Sequence, residues 1–242
     1  MQINRQKQID RLSLSVIIPT LNAERCLPQT ITALRSAKRA GIDLDLIVVD
    51  SNSQDQTRCV ATNLGAKVLQ AERGRGSQLG VGANYARGEW LMFLHADTIL
   101  DSGWDATVVV FSAIERNRER AAVFTFALDD PNPSARRLER LVRWRNKWLG
   151  LPYGDQGLLI HRRFYSKLGG YKSWPLMEDI DLIRRIGISR LVLFDIHAIT
   201  SSEKYRESGY FSRILRNSFC LFLYFIRIPP RWIAHIYARR ST

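Results

Sequence analysis

The chain has 242 residues, 45% hydrophobic and 24% charged, enough to bury a sizeable core in one domain or two fused half-domains, with no long disordered tail indicated. Its formal charge of +13 is local: 134–150 carries six Lys/Arg against one Glu and 203–242 eight against two, leaving the rest nearly neutral. Cys26, Cys59 and Cys220 lie far apart, without CxxC spacing or a nearby histidine pair, which excludes a zinc site or a disulfide framework and points to a reducing cytoplasm.

At the N-terminus, Arg5, Lys7, Asp10 and Arg11 lack the apolar run of a secretory signal behind them, so the mature chain is expected to start here. Residues 14–18 form a short β-branched apolar run ended by Pro19, a buried strand leading into a loop. Ile31, Leu34 and Ala37, with Arg35, Lys38 and Arg39 opposite, predict a helix over 30–40 stopped by Gly41. Strands follow at 44–49, 66–69 and 90–94, alternating with helices at 56–64, closed by Gly65, and 79–86, stopped by Gly88. Continuous apolar strands separated by helices predict an α/β fold of the nucleotide-binding type, its sheet mostly parallel and covered by helices on both faces. Beyond about residue 105 the rhythm loosens into strands at 122–128, 157–161 and 191–195, a basic amphipathic helix at 134–149, and short helices at 164–168 and 179–185. This half is expected to build the acceptor side of a cleft. No fixed-period repeat or low-complexity segment is present.

An open parallel sheet collects ligands outside the carboxyl ends of its strands. Polar groups stand at four such ends: Pro19, Thr20 and Asn22; Asp50; Glu72 and Arg73; His95 and Asp97. LIVVDSNSQDQT, 46–57, thus reads as a buried strand with Asp50 at its tip to hydrogen-bond a ligand, whereas Asp55 reads as the N-cap of the next helix. In FLHADT, 93–98, Asp97 suits a Mg2+ or Mn2+ ion that takes one or two protein carboxylates and fills its shell with phosphates and water. His95 is either a second ligand, as Mn2+ prefers, or an imidazole bonded to backbone. LMEDIDLIRR, 176–185, offers Glu178, Asp179 and Asp181 at a helix start, where the helix dipole alone favours carboxylates. One that faces the cleft would serve as general base, with Asp181 supporting the helix. ERGRGSQLGVGANYARG, 72–88, matches neither GxxxxGK[ST] nor GxGxxG, but ahead of the helix expected at 79–86 a flexible loop with Arg73 and Arg75 could bind pyrophosphate.

SVIIPTLNAE, LIVVDSNSQDQT, ANYARGEWLMFLHADT, GDQGLLIHRRFYSKLGGY and MEDIDLIRR, in this order across 14–197, resemble family 2 of the glycosyltransferases, inverting enzymes of the GT-A fold. The chain looks most like a small bacterial subgroup assigned to arsenosugar biosynthesis. The resemblance implies a Rossmann-like GT-A domain over 12–200, with a nucleotide-sugar-binding half at 12–100 and an acceptor-binding half at 101–200. A basic, partly apolar helical extension follows at 201–242. It implies donor-binding roles for Pro19, Thr20, Asn22, Glu24 and Asp50, the last on the base and ribose; Arg73, Arg75 and Ala96 complete the donor set. Asp97 matches the last Asp of the family's DxD motif, His95 replaces the first, and Glu178 and Asp179 match the ED motif, of which Asp179 is the implied base. Gly154, Asp155 and Gln156 either order the acceptor near that base or form a turn without a ligand. No QxxRW motif follows, which argues against processive synthesis, and Lys204, Tyr205 and Arg206 stand where related proteins carry a basic, aromatic patch. The implied reaction is one in-line displacement at the anomeric carbon of a UDP- or GDP-sugar, with a metal and arginines offsetting charge on the leaving diphosphate.

Residues 219–226 form an apolar run of eight, too short to span a bilayer. Bounded by Arg216 and Arg227 and followed by Pro229, Pro230 and Trp232, the run suits an interfacial segment, a buried closing helix or a dimer contact. The clustered cations suit solvated helix faces or an anionic partner. The expected setting is the cytoplasm, with a peripheral contact on the cytoplasmic face of the membrane and a lipid-linked acceptor as the partners this charge admits. Two other functions compete. A nucleotidyltransferase would favour a glycine-rich, lysine-bearing loop after the first strand, which PTLNAERC lacks. A nucleic-acid-binding protein matches the basic charge but not its position outside the strand-tip crevice, so no nucleic-acid partner is expected.

Overall fold

The apolar runs of the strands are continuous because both faces of the sheet are covered. The computed structural model describes residues 11–239. In β1 (Ser13–Thr20), Leu14, Val16 and Ile18 enter one core and Ile17 the other, all four without accessible surface. In β2 (Asp43–Asp50), Val48 joins the first core, and Ile47 and Val49 the second. Side chains alternate with period two along a strand, so only a strand buried on both sides has no need of polar residues between its apolar ones.

Between these strands run α1 (Leu27–Ala33) and α2 (Ser36–Arg39). After them come α3 (Thr57–Asn63), β3 (Lys67–Gln70), α4 (Arg75–Tyr85), β4 (Trp90–Phe93), β5 (Thr98–Leu100) and α5 (Trp104–Ser112). The second half comprises β6 (Ala121–Leu128), α6 (Pro133–Leu149), β7 (Leu158–His161), α7 (Arg162–Lys167), α8 (Glu178–Ile186) and β8 (Leu191–Thr200). Three helices close the chain: α9 (Glu203–Ser208), α10 (Tyr210–Phe225) and α11 (Pro230–Arg239). The sheet order is β3-β2-β1-β4-β7-β6-β8-β5, with β7 antiparallel to both its neighbours and β5 antiparallel to β8. The other pairs are parallel, as expected. Helices α1, α3 and α5 cover the first core through Leu27, Ala61 and Trp104. Helices α4, α8 and α10 cover the second through Leu79, Leu182 and Cys220.

Several boundaries differ from expectation, each for a local reason. Pro19 does not end β1. The ladder from β1 to β4 stops after the Ile17 carbonyl takes the Leu94 N–H, and the next group on that side would be the N–H that proline lacks. The strand continues to Thr20 on β2 alone. The helix predicted over 30–40 begins at Leu27 and breaks near Leu34, whose N–H tightens onto the Ile31 carbonyl before α2 starts.

Helix α4 begins at Arg75, ahead of the expected residue 79, so Arg75 stands in its first turn and not in a flexible loop. A Cβ on Gly82 would stand 2.4 Å from Ile17 Cγ2 and 3.0 Å from Val49 Cγ2, so the glycine marks a helix lying close on β1 and β2. Strand β8 extends to Thr200, well past 195, and β5 and α5 were not foreseen. Among the described residues no helix is long and apolar enough to cross a membrane.

Candidate active site

Two cavities meet at the carboxyl ends of β1, β2 and β4. The larger, about 1130 Å³, has Pro19, Thr20, Asn22, Glu24, Arg73, Arg75 and Ala96 on its walls, which is every expected donor residue except Asp50. The smaller, about 190 Å³, holds Asp155, Glu178 and Asp179. Arg75, His95, Asp97 and Tyr237 line both, and so form the partition.

Hydrogen bonds between two loops hold the far wall. Asn22 donates its N–H to Ser53 Oγ (2.8 Å) and accepts the Gln54 N–H (2.9 Å), and Glu24 accepts the Gln56 N–H (2.8 Å). Asp55 accepts the N–H groups of Thr57 (3.0 Å) and Glu24 (3.1 Å) from one residue before the N-cap of α3, which is Gln56, and it faces the cleft. Asp50 corrects an expectation: it has no accessible surface and lines neither cavity. Its carboxylate accepts the N–H (2.9 Å) and hydroxyl of Ser53 and the Thr20 hydroxyl (3.1 Å), so it shapes the wall from beneath. Gln78, unremarked in the sequence, donates to the carbonyls of Thr20 (2.9 Å) and Val49 (2.7 Å) and lines the cleft. A polar residue inside a glycine-rich helix was the available signal.

The partition is built on backbone. The His95 carbonyl accepts the Thr98 N–H (3.3 Å), the Ala96 carbonyl the Thr30 hydroxyl (2.7 Å), and the Asp97 carbonyl the Ser201 N–H (3.1 Å). The pairing of β5 with β8 therefore sets where Asp97 stands. Gly154 lies between the two halves of the site. A Cβ there would be 2.9 Å from His95 Nε2 and 3.5 Å from Asp179 Oδ2, and the Gly154 N–H donates to Asp179 Oδ2 at 2.8 Å. The other Asp179 oxygen accepts the Ile180 N–H (2.7 Å) at the start of α8. Met177, at φ 66°, turns the chain so that α8 opens into the cavity with its two carboxylates.

The model of the family described as glycosyl transferase family 2 matches residues 15–172. The chain belongs to that family. This glycosyltransferase is 34% identical over 208 residues to the PGL/p-HBAD biosynthesis glycosyltransferase of Mycobacterium bovis (strain BCG / Pasteur 1173P2), a match covering 81% of this chain and 77% of that one. It is 33% identical over 98 residues to the 4,4'-diaponeurosporenoate glycosyltransferase of Staphylococcus haemolyticus, covering 37% of this chain and 25% of that one. Among solved structures it is similar to glucosyl-3-phosphoglycerate synthase from Mycobacterium tuberculosis, crystallised with Mn2+, UDP and glucosyl-3-phosphoglycerate. There the TM-score is 0.61 at 20% identity, over 91% of this chain and 82% of that one. S. aureus TarS gives 0.60 at 16%, over 85% of this chain and 64% of that one. The fold is GT-A, as the sequence motifs implied.

In this glycosyltransferase the segment after residue 200 closes the site instead of trailing from it. Tyr205, Arg213, Asn217 and Cys220 wall the smaller cavity, and Arg231 and His235 reach the larger. Only Tyr205 was singled out from sequence; its neighbour Arg206 is exposed, and the Lys204 side chain lies outside the described residues. The missed signal was the spacing of Arg213, Asn217 and Cys220 along one face of α10. Gln156 is a second correction. It has no accessible surface, and it bonds the Phe124 carbonyl (2.9 Å) and the Asn146 amide (3.0 Å), locking the turn that carries Asp155. Asp181 supports α8 as expected, paired with Arg185 and with Lys172 (2.8 Å).

Among the described residues no group of three or more His, Cys, Asp or Glu is placed to hold a metal. A pair such as Asp97 and His95 suits a cation that completes its shell from a diphosphate, the usual habit of Mg2+. Burial, with the Asp179 charge adding to it and Arg75 opposing, pushes the Glu178 carboxyl up to about 7. Burial likewise lifts Asp155 to about 6 against the pull of Arg145.

A carboxyl that holds its proton more tightly folded than unfolded stabilises fully below its unfolded value of 4.5 and loses that contribution as pH rises toward 7. Glu178→Gln is therefore expected to be more stable than the parent at pH 8, by on the order of 1–3 kcal/mol, and equal to it at pH 4. Thermal melts at the two pH values check this, and a variant that melts lower at pH 8 would refute it.

Proposed function

We propose that this glycosyltransferase moves a sugar from a nucleoside diphosphate-sugar in the larger cavity to an acceptor hydroxyl in the smaller one, with inversion, a divalent cation and no processivity. The observation that carries the reading is the partition: Arg75, His95 and Asp97 face both cavities, and Asp179 and Glu178 stand on the acceptor side. The loops after β1 and β2 hold the nucleoside, and Arg73 and Arg75 the diphosphate, where guanidinium forks suit phosphate oxygens. Mg2+ or Mn2+, held by Asp97 and His95, supplies neutralising charge at the leaving diphosphate. Asp179, oriented by the N–H groups of Gly154 and Ile180, takes the proton of the acceptor hydroxyl.

The acceptor oxygen bonds the anomeric carbon as the bond from that carbon to the phosphate oxygen breaks. The nucleoside diphosphate leaves with the electron pair, and attack from the opposite face inverts the centre. Glu178, beside Asp179 on the same cavity, holds its own proton more tightly through burial and the Asp179 charge. Tyr153, Tyr205 and Tyr237 on the smaller cavity suit an acceptor whose hydroxyl is carried on a flat or apolar body. The UDP and Mn2+ bound by the M. tuberculosis synthase support this donor and cation. The relatives named above carry no arsenosugar assignment, and the proposed setting is the cytoplasm.

Calorimetric titration of UDP, then GDP, with and without Mn2+ tests the donor site. One nucleotide is expected to bind only with the cation, and at least about tenfold more weakly to Asp97→Ala, since a removed metal ligand leaves the ion to the phosphates alone. Absence of binding by either nucleotide in Mn2+ would overturn the proposal.

A further inference from the structure

Helix α10 has two faces. Arg213, Asn217 and Cys220 turn inward to the smaller cavity. Phe211, Leu215, Phe222 and Ile226 turn outward, between 52% and 78% exposed, in a single stripe at helical spacing. Helix α6 packs beside it, with Leu138 and Val142 in one cluster with Tyr210 and Ile214. The outer side of α6 repeats the pattern, with Leu141, Trp144 and Trp148 at i, i+3 and i+7, the tryptophans 55% and 66% exposed. Exposed cations border that stripe: Arg137, Arg140, Arg143 and Lys147. The single acid of α6, Glu139, is buried and paired with Arg136, and residues 209–239 contain no acid at all.

We propose that these outer faces form a docking surface for an anionic lipid bilayer. Aromatic and aliphatic side chains beside uncompensated arginines are the composition of a helix that lies in the headgroup region. Among the described residues no helix is long and apolar enough to cross a membrane, and the contact proposed is one of faces lying along it. Negative headgroups complement the cations, each worth roughly 1 kcal/mol near such a surface, or about fivefold in binding. A second copy of the same face would instead set arginine against arginine, which costs affinity. On the transfer reading above, and resting on it, docking sets the inner face of α10 and its cavity next to the bilayer, so the acceptor hydroxyl is one borne by a lipid.

Co-sedimentation of the full chain with vesicles of phosphatidylcholine alone, and of equimolar phosphatidylcholine and phosphatidylglycerol, tests the surface. The protein is expected to bind the mixed vesicles and not the neutral ones. Arg140→Gln with Arg143→Gln should weaken binding on the order of 25-fold, and Trp144→Ser with Trp148→Ser should weaken it further. Both pairs are exposed, and in both variants UDP titration in Mn2+ should match the parent. A failure of docking is thereby told apart from a failure of the donor site. Equal binding to both vesicles, or to neither, would overturn the proposal. So would a dimer in light scattering that the tryptophan pair converts to monomer, which assigns the face to a second copy.

Discussion

Asp179→Asn is expected to lower kcat by roughly 10²–10⁴-fold while nucleotide affinity in Mn2+ stays at the parental value. The amide is nearly isosteric and can keep the bonds from the Gly154 and Ile180 N–H groups, so the turn and helix that hold it stay in place. What it lacks is proton affinity. The competing base is Glu178, which shares the cavity and lies 3.7 Å from Arg75. If Glu178 took the proton, Asp179→Asn would keep most of kcat and shift the acidic limb of its pH profile downward, because the charge that helps raise Glu178 would be gone. Steady-state kinetics of both single variants across pH separate the two: loss at Glu178 alone refutes the assignment to Asp179.

Asp50→Ala is expected to cost about 2–4 kcal/mol of stability, and donor affinity with it. The deletion strands the Ser53 N–H and takes the carboxylate acceptor from the Ser53 and Thr20 hydroxyls, all buried, at the point where β1 and β2 reach the larger cavity. Arg58 offers little compensation or loss, being 47% exposed and 4.0 Å away. Urea melts read the first effect and UDP titration the second. A side chain acting on the ligand alone would lose binding at unchanged stability, and that result would refute the positioning role.

Most of the first hundred residues were readable because β1, β4 and the second half of β2 are buried on both faces, and a short continuous apolar run between helices suits little besides a strand covered twice. The strand ends then located the cleft, and the carboxylates at 97, 178 and 179 fell around its two cavities. Glycine was the weak letter. Gly74 and Gly76 suggest freedom of the chain, whereas Gly82 marks contact with Ile17, and both uses follow from the same missing Cβ. Burial of polar groups was also invisible in one dimension. Asp50 and Gln156 look like ligand contacts in a string of letters, and only their internal partners show that they serve the wall. Strand β8 was cut short because its second half, Asp195 to Thr200, mixes polar with apolar residues and so lost the apolar run that announced its start. The roof of the site was harder to read: the spacing of Arg213 and Asn217 puts them on one face of α10, but which cavity that face meets is set by packing.

Two amides, that of the next residue in the chain and that of the remote Gly154, each take one carboxylate oxygen of Asp179 and hold it in place. A side chain tethered at both ends of its functional group has little torsional freedom left to lose when substrate arrives. The turn that supplies one tether also lies against His95, so the gap from Asp179 to His95 is spanned by backbone and not by rotamers. The enzyme therefore carries a ruler of peptide units, whose length stays constant whichever acceptor enters.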